Sequence, residues 1–158
     1  MKKVILLSFV LITTTLFAQK SVSVLESEVP KLVVESFHKN IKIDKDAALV
    51  WKFNKNINEY SALFYKDALK IESFILADGQ FLRTCEDVKL KDIPKKITQY
   101  ITDKIPEATI LSAYKWIRSS GSTYQIKISK EKNNESGRNY TISKNYIFDE
   151  NANLIRIF

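Results

Sequence analysis

Val29-Pro30-Lys31-Leu32-Val33-Val34-Glu35-Ser36-Phe37 returns 64 residues later as Ile93-Pro94-Lys95-Lys96-Ile97-Thr98-Gln99-Tyr100-Ile101. At this offset Val33 matches Ile97, Phe37 matches Ile101 and Ile41 matches Ile105. An apolar residue every four positions marks one face of an amphipathic helix. The spacing therefore predicts helices near 28–40 and 92–105. Pro30 and Pro94 are placed in the first turn, where a missing N–H costs nothing. Glu28 and Asp92 stand beside them, where the helix dipole favours an acid.

Four strand-like runs follow each helix. They cover 48–54, 59–66, 69–77 and 80–88 in the first half, and 109–117, 123–130, 140–148 and 153–158 in the second. Tyr60, Ala62 and Phe64 share one face of their run; Tyr124, Ile126 and Ile128 share one face of theirs. Asp78-Gly79 is a two-residue hairpin signal. Gly121 and Gly137 also fall in polar turns, 137 within a long hairpin loop at 131–139. Short links favour antiparallel pairing. The fold class expected is α+β: a tandem repeat of helix plus four antiparallel strands, residues 19–90 and 91–158. The two sheets would join into one larger antiparallel sheet with both helices on one face.

The first residues read differently. Lys2 and Lys3 precede an apolar run at 4–12, then Leu16-Phe17-Ala18-Gln19. This is the pattern of a secretory signal peptide, residues 1–18, with cleavage expected at or near Gln19. The apolar run is shorter than the roughly 20 residues a bilayer span needs. No Cys lies at the junction, so no lipid attachment is expected, and no later run predicts a membrane span. A periplasmic or secreted location follows.

Composition excludes several classes of function. The chain has 158 residues, one Cys, one His, three Gly and a net charge of +7. A lone Cys permits no disulfide framework and no cysteine zinc site, and a lone His permits no multi-histidine metal site. The three glycines are too far apart for a phosphate-cradling loop. Lysines are scattered among acids, as in Lys42-Ile43-Asp44-Lys45-Asp46, so the basic balance reads as a mixed solvated surface and no nucleic-acid partner is expected. His38 sits beside an apolar helix face with no nucleophile in view. Cys85 lies in a strand run and is expected to be a buried thiol of a monomer. Asp44-x-Asp46 lacks the Gly and distant Glu of a calcium loop. Asn134-Glu135-Ser136 and Asn139-Tyr140-Thr141 match the glycosylation sequon, which matters only in a glycosylating host. No catalytic residue, metal or cofactor is expected.

The order of elements and a set of short motifs resemble the PepSY-like, β-lactamase-inhibitor-protein-like secreted domains of the Bacteroidetes. The residues that carry the resemblance are Val29-Pro30, Trp51, Tyr60-x-Ala62-x-Phe64 and the 74–81 segment around Asp78-Gly79. In the second half they are Ile93-Pro94, Ile105-Pro106-Glu107-Ala108 and the 146–155 segment around Asp149-Glu150-Asn151. The resemblance implies two helix-plus-four-strand units and no catalysis. Ala152 stands where such hairpins carry Gly, so Asn151 or Asn153 is expected to take the left-handed position.

Two helices cover one face of a long sheet. On the other face Leu63 and Tyr65 alternate outward from Tyr60, Ala62 and Phe64, and Tyr114 and Trp116 share a face opposite Ala113. Exposed Tyr and Trp suit recognition; the alternative is that they pack in the core or against the joining strand. The expected function is a non-enzymatic exported module that binds a protein or peptide of the cell envelope on this face, in its sharpest form an inhibitor. The rival is a periplasmic carrier of a small ligand or peptide, held between helices and sheet.

Overall fold

A computed structural model describes residues 21–44, 46–133 and 139–158. The signal-peptide expectation for residues 1–18, the Asn134 sequon and Gly137 lie outside them. The chain opens with β1 (Val22–Val24) and α1 (Lys31–Asn40). A meander follows: β2 (Val50–Asn54), β3 (Glu59–Lys66), β4 (Leu69–Leu76) and β5 (Phe81–Asp87). After α2 (Lys95–Lys104) come β6 (Thr109–Arg118), β7 (Gly121–Asn133), β8 (Asn139–Asp149) and β9 (Leu154–Ile157). All nine strands form one antiparallel sheet in chain order.

This corrects the expected architecture. Among the described residues the α+β tandem repeat of helix plus four strands is replaced by a predominantly β arrangement, one unbroken nine-stranded sheet carrying two helices of ten residues each. An unexpected strand, β1, pairs with β2 in the register Val22↔Phe53 to Val24↔Trp51, so five strands precede α2 and the halves are not equal units. β5 pairs directly with β6, from Thr84↔Ile117 to Asp87↔Tyr114, and the ladder runs through from one half to the next. Helices of this length are marginal alone; the sheet is the scaffold on which they are held.

The register also shows which side chains share a face. Trp51 lies opposite Ala62, Ala62 opposite Ser73, Ser73 opposite Thr84 and Thr84 opposite Ile117. Ala113, on the face of Ile117, lies opposite Ile126, which lies opposite Tyr146. On this face α1 buries Val33 and Phe37 against Trp51, Tyr60, Ala62, Phe64 and Ile75. α2 buries Ile97 and Ile101 against Ala113, Ile126, Ile128, Tyr146 and Phe148. Phe37 meets Trp51 and Phe64 edge-on, at ring centroid distances of 5.4 and 6.0 Å. The helices begin later than expected, with Pro30 and Pro94 at the N-cap positions, because short 3-10 turns at Glu26–Glu28 and Leu90–Asp92 lead into them.

Ala152 itself takes the left-handed conformation (φ 67°), against the expectation for Asn151 or Asn153. The Asp149 carboxylate holds the turn, accepting the backbone N–H groups of Asn151 and Asn153 and the Asn153 amide. These bonds keep the Asp149 carboxyl below the usual carboxylate range, the Asn153 side chain first. A left-handed alanine costs about 1–2 kcal/mol. Ala152→Gly removes that strain but gives back about 0.4–1 kcal/mol through the more flexible unfolded chain. The variant is expected to be more stable by roughly 0.5–1 kcal/mol, seen as a higher urea midpoint at unchanged slope. A lower midpoint would show the turn to be unstrained.

Candidate functional site

The helix-free face is built from the alternate residues of the same strands. On it, Ser61 lies opposite Phe74, and Phe74 lies opposite Arg83. Cys85 lies opposite Trp116, Trp116 opposite Thr123, and Tyr114 opposite Gln125. Gln125 lies opposite Ile147, which lies opposite Arg156.

At its centre the Arg83 guanidinium stands 4.3 Å from the Phe74 ring and 5.9 Å from the Trp116 ring. The two rings are nearly parallel, 6.0 Å apart. Arg83 is fixed by a two-pronged ion pair to Glu59, Nη1 to Oε2 at 3.0 Å and Nη2 donating to Oε1 at 3.1 Å. Glu59 is only 7% exposed, so the pair is largely withdrawn from water, where such a fork is strongest. Trp116 Nε1 donates to Gln125 Oε1 at 3.1 Å, and Gln125 Nε2 donates to Asn145 Oδ1 at 3.2 Å. Every polar tip of the cluster thus has a partner, and the rings are held in place before any ligand arrives.

Beside this cluster a depression of about 450 Å³ opens over β6 to β9. Trp116, Arg118, Gln125, Ile147, Arg156 and Phe158 line it. Arg118 stands 5.8 Å from the Trp116 ring, and Arg156 5.0 Å from the Phe158 ring. Neither is in an ion pair among the described residues. The chemistry is that of a clamp for a negatively charged, partly apolar group. Two guanidiniums supply charge and donors, and the rings and isoleucines supply apolar area.

Of the four residues singled out from the sequence, only Trp116 joins this site. Leu63 lies opposite Glu72 on β4, and Tyr65, 63% exposed, opposite Lys70. β4 and β5 separate them from Trp116 and Tyr114, and at about 4.8 Å per strand the gap is about 14 Å. Lys70 and Glu72, an ion pair at 3.4 Å, occupy part of that gap. The four aromatic and aliphatic side chains share a face without forming one patch, and Trp116 is half-buried instead of exposed. Phe74, Arg83, Gln125, Arg156 and Phe158 were not singled out. Phe74 was the readable one, since it alternates with Ile71, Ser73 and Ile75.

The remaining candidates carry no arranged chemistry. Burial, then the charges of Asp87 and Glu72, push the Cys85 thiol up to about 11, so it is protonated at neutral pH and a poor nucleophile. His38 meets the Phe37 ring edge-on at 5.2 Å. Among the described residues no three His, Cys, Asp or Glu side chains converge as metal ligands, and no helix is long and apolar enough to cross a membrane.

No protein-family model and no curated protein matches the chain. Solved structures do. A DUF2874 family protein of Bacteroides ovatus superimposes with a TM-score of 0.65 at 15% identity, covering 82% of this chain and 86% of that one. A DUF2874 family protein of Bacteroides uniformis gives 0.64 at 11% identity, covering 82% and 88%. A protein of Bacteroides eggerthii, provisionally described as periplasmic, gives 0.64 at 13% identity with the same coverages. At such identities the likeness is one of fold. The chain shares its architecture with these Bacteroides proteins, and the PepSY-like resemblance is not matched among them.

Proposed function

We propose that the chain is an exported, non-enzymatic binding module that holds a protein or peptide of the cell envelope against the helix-free face of its sheet. The observation that carries this reading is the pre-ordered cluster of Phe74, Arg83 and Trp116 beside a depression flanked by Arg118 and Arg156, on a face that neither helix covers. Trp, Tyr and Arg dominate the binding energy of protein interfaces because they bring large contact area and several donors at little entropic cost. The two guanidiniums, which have no acid partner among the described residues, select an acidic or carboxylate-bearing segment. The signal-peptide pattern of residues 1–18, and the description of a structural neighbour as periplasmic, support an envelope location. The carrier reading is less well supported. The groove at the end of α2 holds about 200 Å³, below the roughly 300–1,000 Å³ of most small-molecule pockets.

The test compares capture from envelope extract by the wild type and by a Trp116→Ala, Arg156→Ala double variant. The variant is expected to keep its circular dichroism and to lose capture by about tenfold or more, since a buried aromatic anchor contributes about 2 kcal/mol or more. Equal capture by a folded variant would reject the face as the site.

A further inference from the structure

We propose that the groove at the end of α2 binds a small organic anion, a carboxylate carried on a short acyl chain or a single ring, on the opposite side of the sheet from the helix-free face. The groove is built by cross-strand register. Ile128 lies opposite Lys144, and Lys130 lies opposite Ile142. Alternate residues of a strand share a face, so all four side chains, and Lys132 with them, stand on the side of Ile126 and Tyr146, where α2 packs. Each isoleucine therefore has a lysine across from it on the neighbouring strand. Ile105, the residue that caps the C-terminus of α2, and Tyr146 complete the lining.

The floor is apolar and firmly held. Ile128 and Tyr146 belong to the core beneath α2, at 3% and 8% exposure, and Ile105 packs against the same cluster. The space above them is about 200 Å³. That is too small for the cargo of a carrier. An apolar cavity of about 150 Å³ holds a benzene molecule, so this groove takes one ring or a chain of about six to eight carbons.

Charge selects the occupant. Lys130, Lys132 and Lys144 all line the groove. Diagonal neighbours on paired strands lie about 7–8 Å apart, and residues two apart on one strand about 7 Å. Lys130 is thus near both of the others, and three charges of one sign ring an apolar floor. Lys130 is partly compensated: it donates to the Pro106 carbonyl at 2.9 Å and lies 3.9 Å from the exposed Glu107 carboxylate. Lys132 and Lys144 have no ion-pair partner among the described residues. Glu131, opposite Thr141, alternates to the other face. Lysine stems lie along apolar surface while their heads stay in water. A carboxylate at the rim would relieve the repulsion between the heads, while its tail covers Ile128 and Ile142. A neutral ligand would leave the charges unmet, and a bare inorganic anion would leave the floor uncovered.

The probe is hexanoate, titrated into the purified protein and followed by the isoleucine methyl signals in NMR. Saturable shifts are expected at Ile105, Ile128 and Ile142. Ile147 and Ile155, which line the depression on the helix-free face, are expected to stay unmoved. Lys132→Gln, Lys144→Gln removes two charges at exposed positions and keeps the stems. It is expected to lower the affinity for hexanoate by about tenfold or more, or about 1.4 kcal/mol. 1-Hexanol carries the tail without the charge, and inorganic phosphate a charge without the tail; each is expected to bind more weakly than hexanoate by about tenfold or more. Lys31→Gln, on α1, controls for net charge and is expected to bind as the wild type does. The proposal is overturned by absence of saturable binding, by hexanol or phosphate binding as tightly as hexanoate, or by equal affinities in the double variant and the wild type. Shifts confined to Ile147 and Ile155, and lost in the Trp116→Ala, Arg156→Ala variant, would also overturn it, assigning the anion to the helix-free face.

Discussion

Replacing Phe37 by alanine is expected to cost the folded state about 3–5 kcal/mol. The ring is fully buried and meets both Trp51 and Phe64 edge-on, and with Val33 it joins α1 to the sheet. The loss combines the transfer energy of the ring with the cavity it leaves, because the sheet beneath cannot collapse to fill the space. A domain of this size has about 5–15 kcal/mol to lose. The neighbouring, exposed His38→Ala is expected to stay within about 0.5 kcal/mol. Urea denaturation checks both. A loss below about 1 kcal/mol for Phe37→Ala would mean that α1 is not part of the cooperative core.

Arg83→Ala is the second large effect, about 3 kcal/mol, at the lower end of the range for breaking a buried ion pair. The cost comes from what is left behind. Glu59, 7% exposed, would keep a carboxylate turned inward with neither the fork nor its charge. Phe74 and Trp116 would also lose the guanidinium beside them. The double replacement Glu59→Gln, Arg83→Met removes both charges and keeps the bulk, so it is expected to recover most of the loss. A double variant as unstable as Arg83→Ala alone would show that the packing of the arginine matters, and not the ion pair.

Much of the sheet was legible because period-two alternation is a local property. Tyr60, Ala62 and Phe64 do face α1, and Ile126 and Ile128 do face α2. What stayed hidden depends on partners distant in sequence. β1 offers only Val22-Ser23-Val24, too short for an alternation signal, and becomes a strand by pairing with β2. Glu131, Lys132 and Asn133 look like loop, yet backbone pairing carries β7 and β8 through them to Asn133↔Asn139. The expected two-unit repeat counted four strands after each helix and missed β1, so a single nine-stranded sheet among the described residues replaces two equal units.

The site shows the same divide. Alternation placed Leu63, Tyr65, Tyr114 and Trp116 on one face but carried no information on lateral distance, which the cross-strand register sets. The irregularity between Phe74 and Ile75 moves Phe81 opposite Ile75, so strict alternation through β5 would misplace it relative to Arg83. Arg83 and Glu59, 24 residues apart, meet only once β3, β4 and β5 are in register.

Amide hydrogen exchange of the protein, with and without the partner captured from the envelope, tests the central claim most directly. Binding on the helix-free face predicts added protection in β4 to β8 around Phe74, Arg83, Trp116 and Gln125, with α1 and α2 exchanging as before. Added protection confined to the helices, with these strands unchanged, would contradict it.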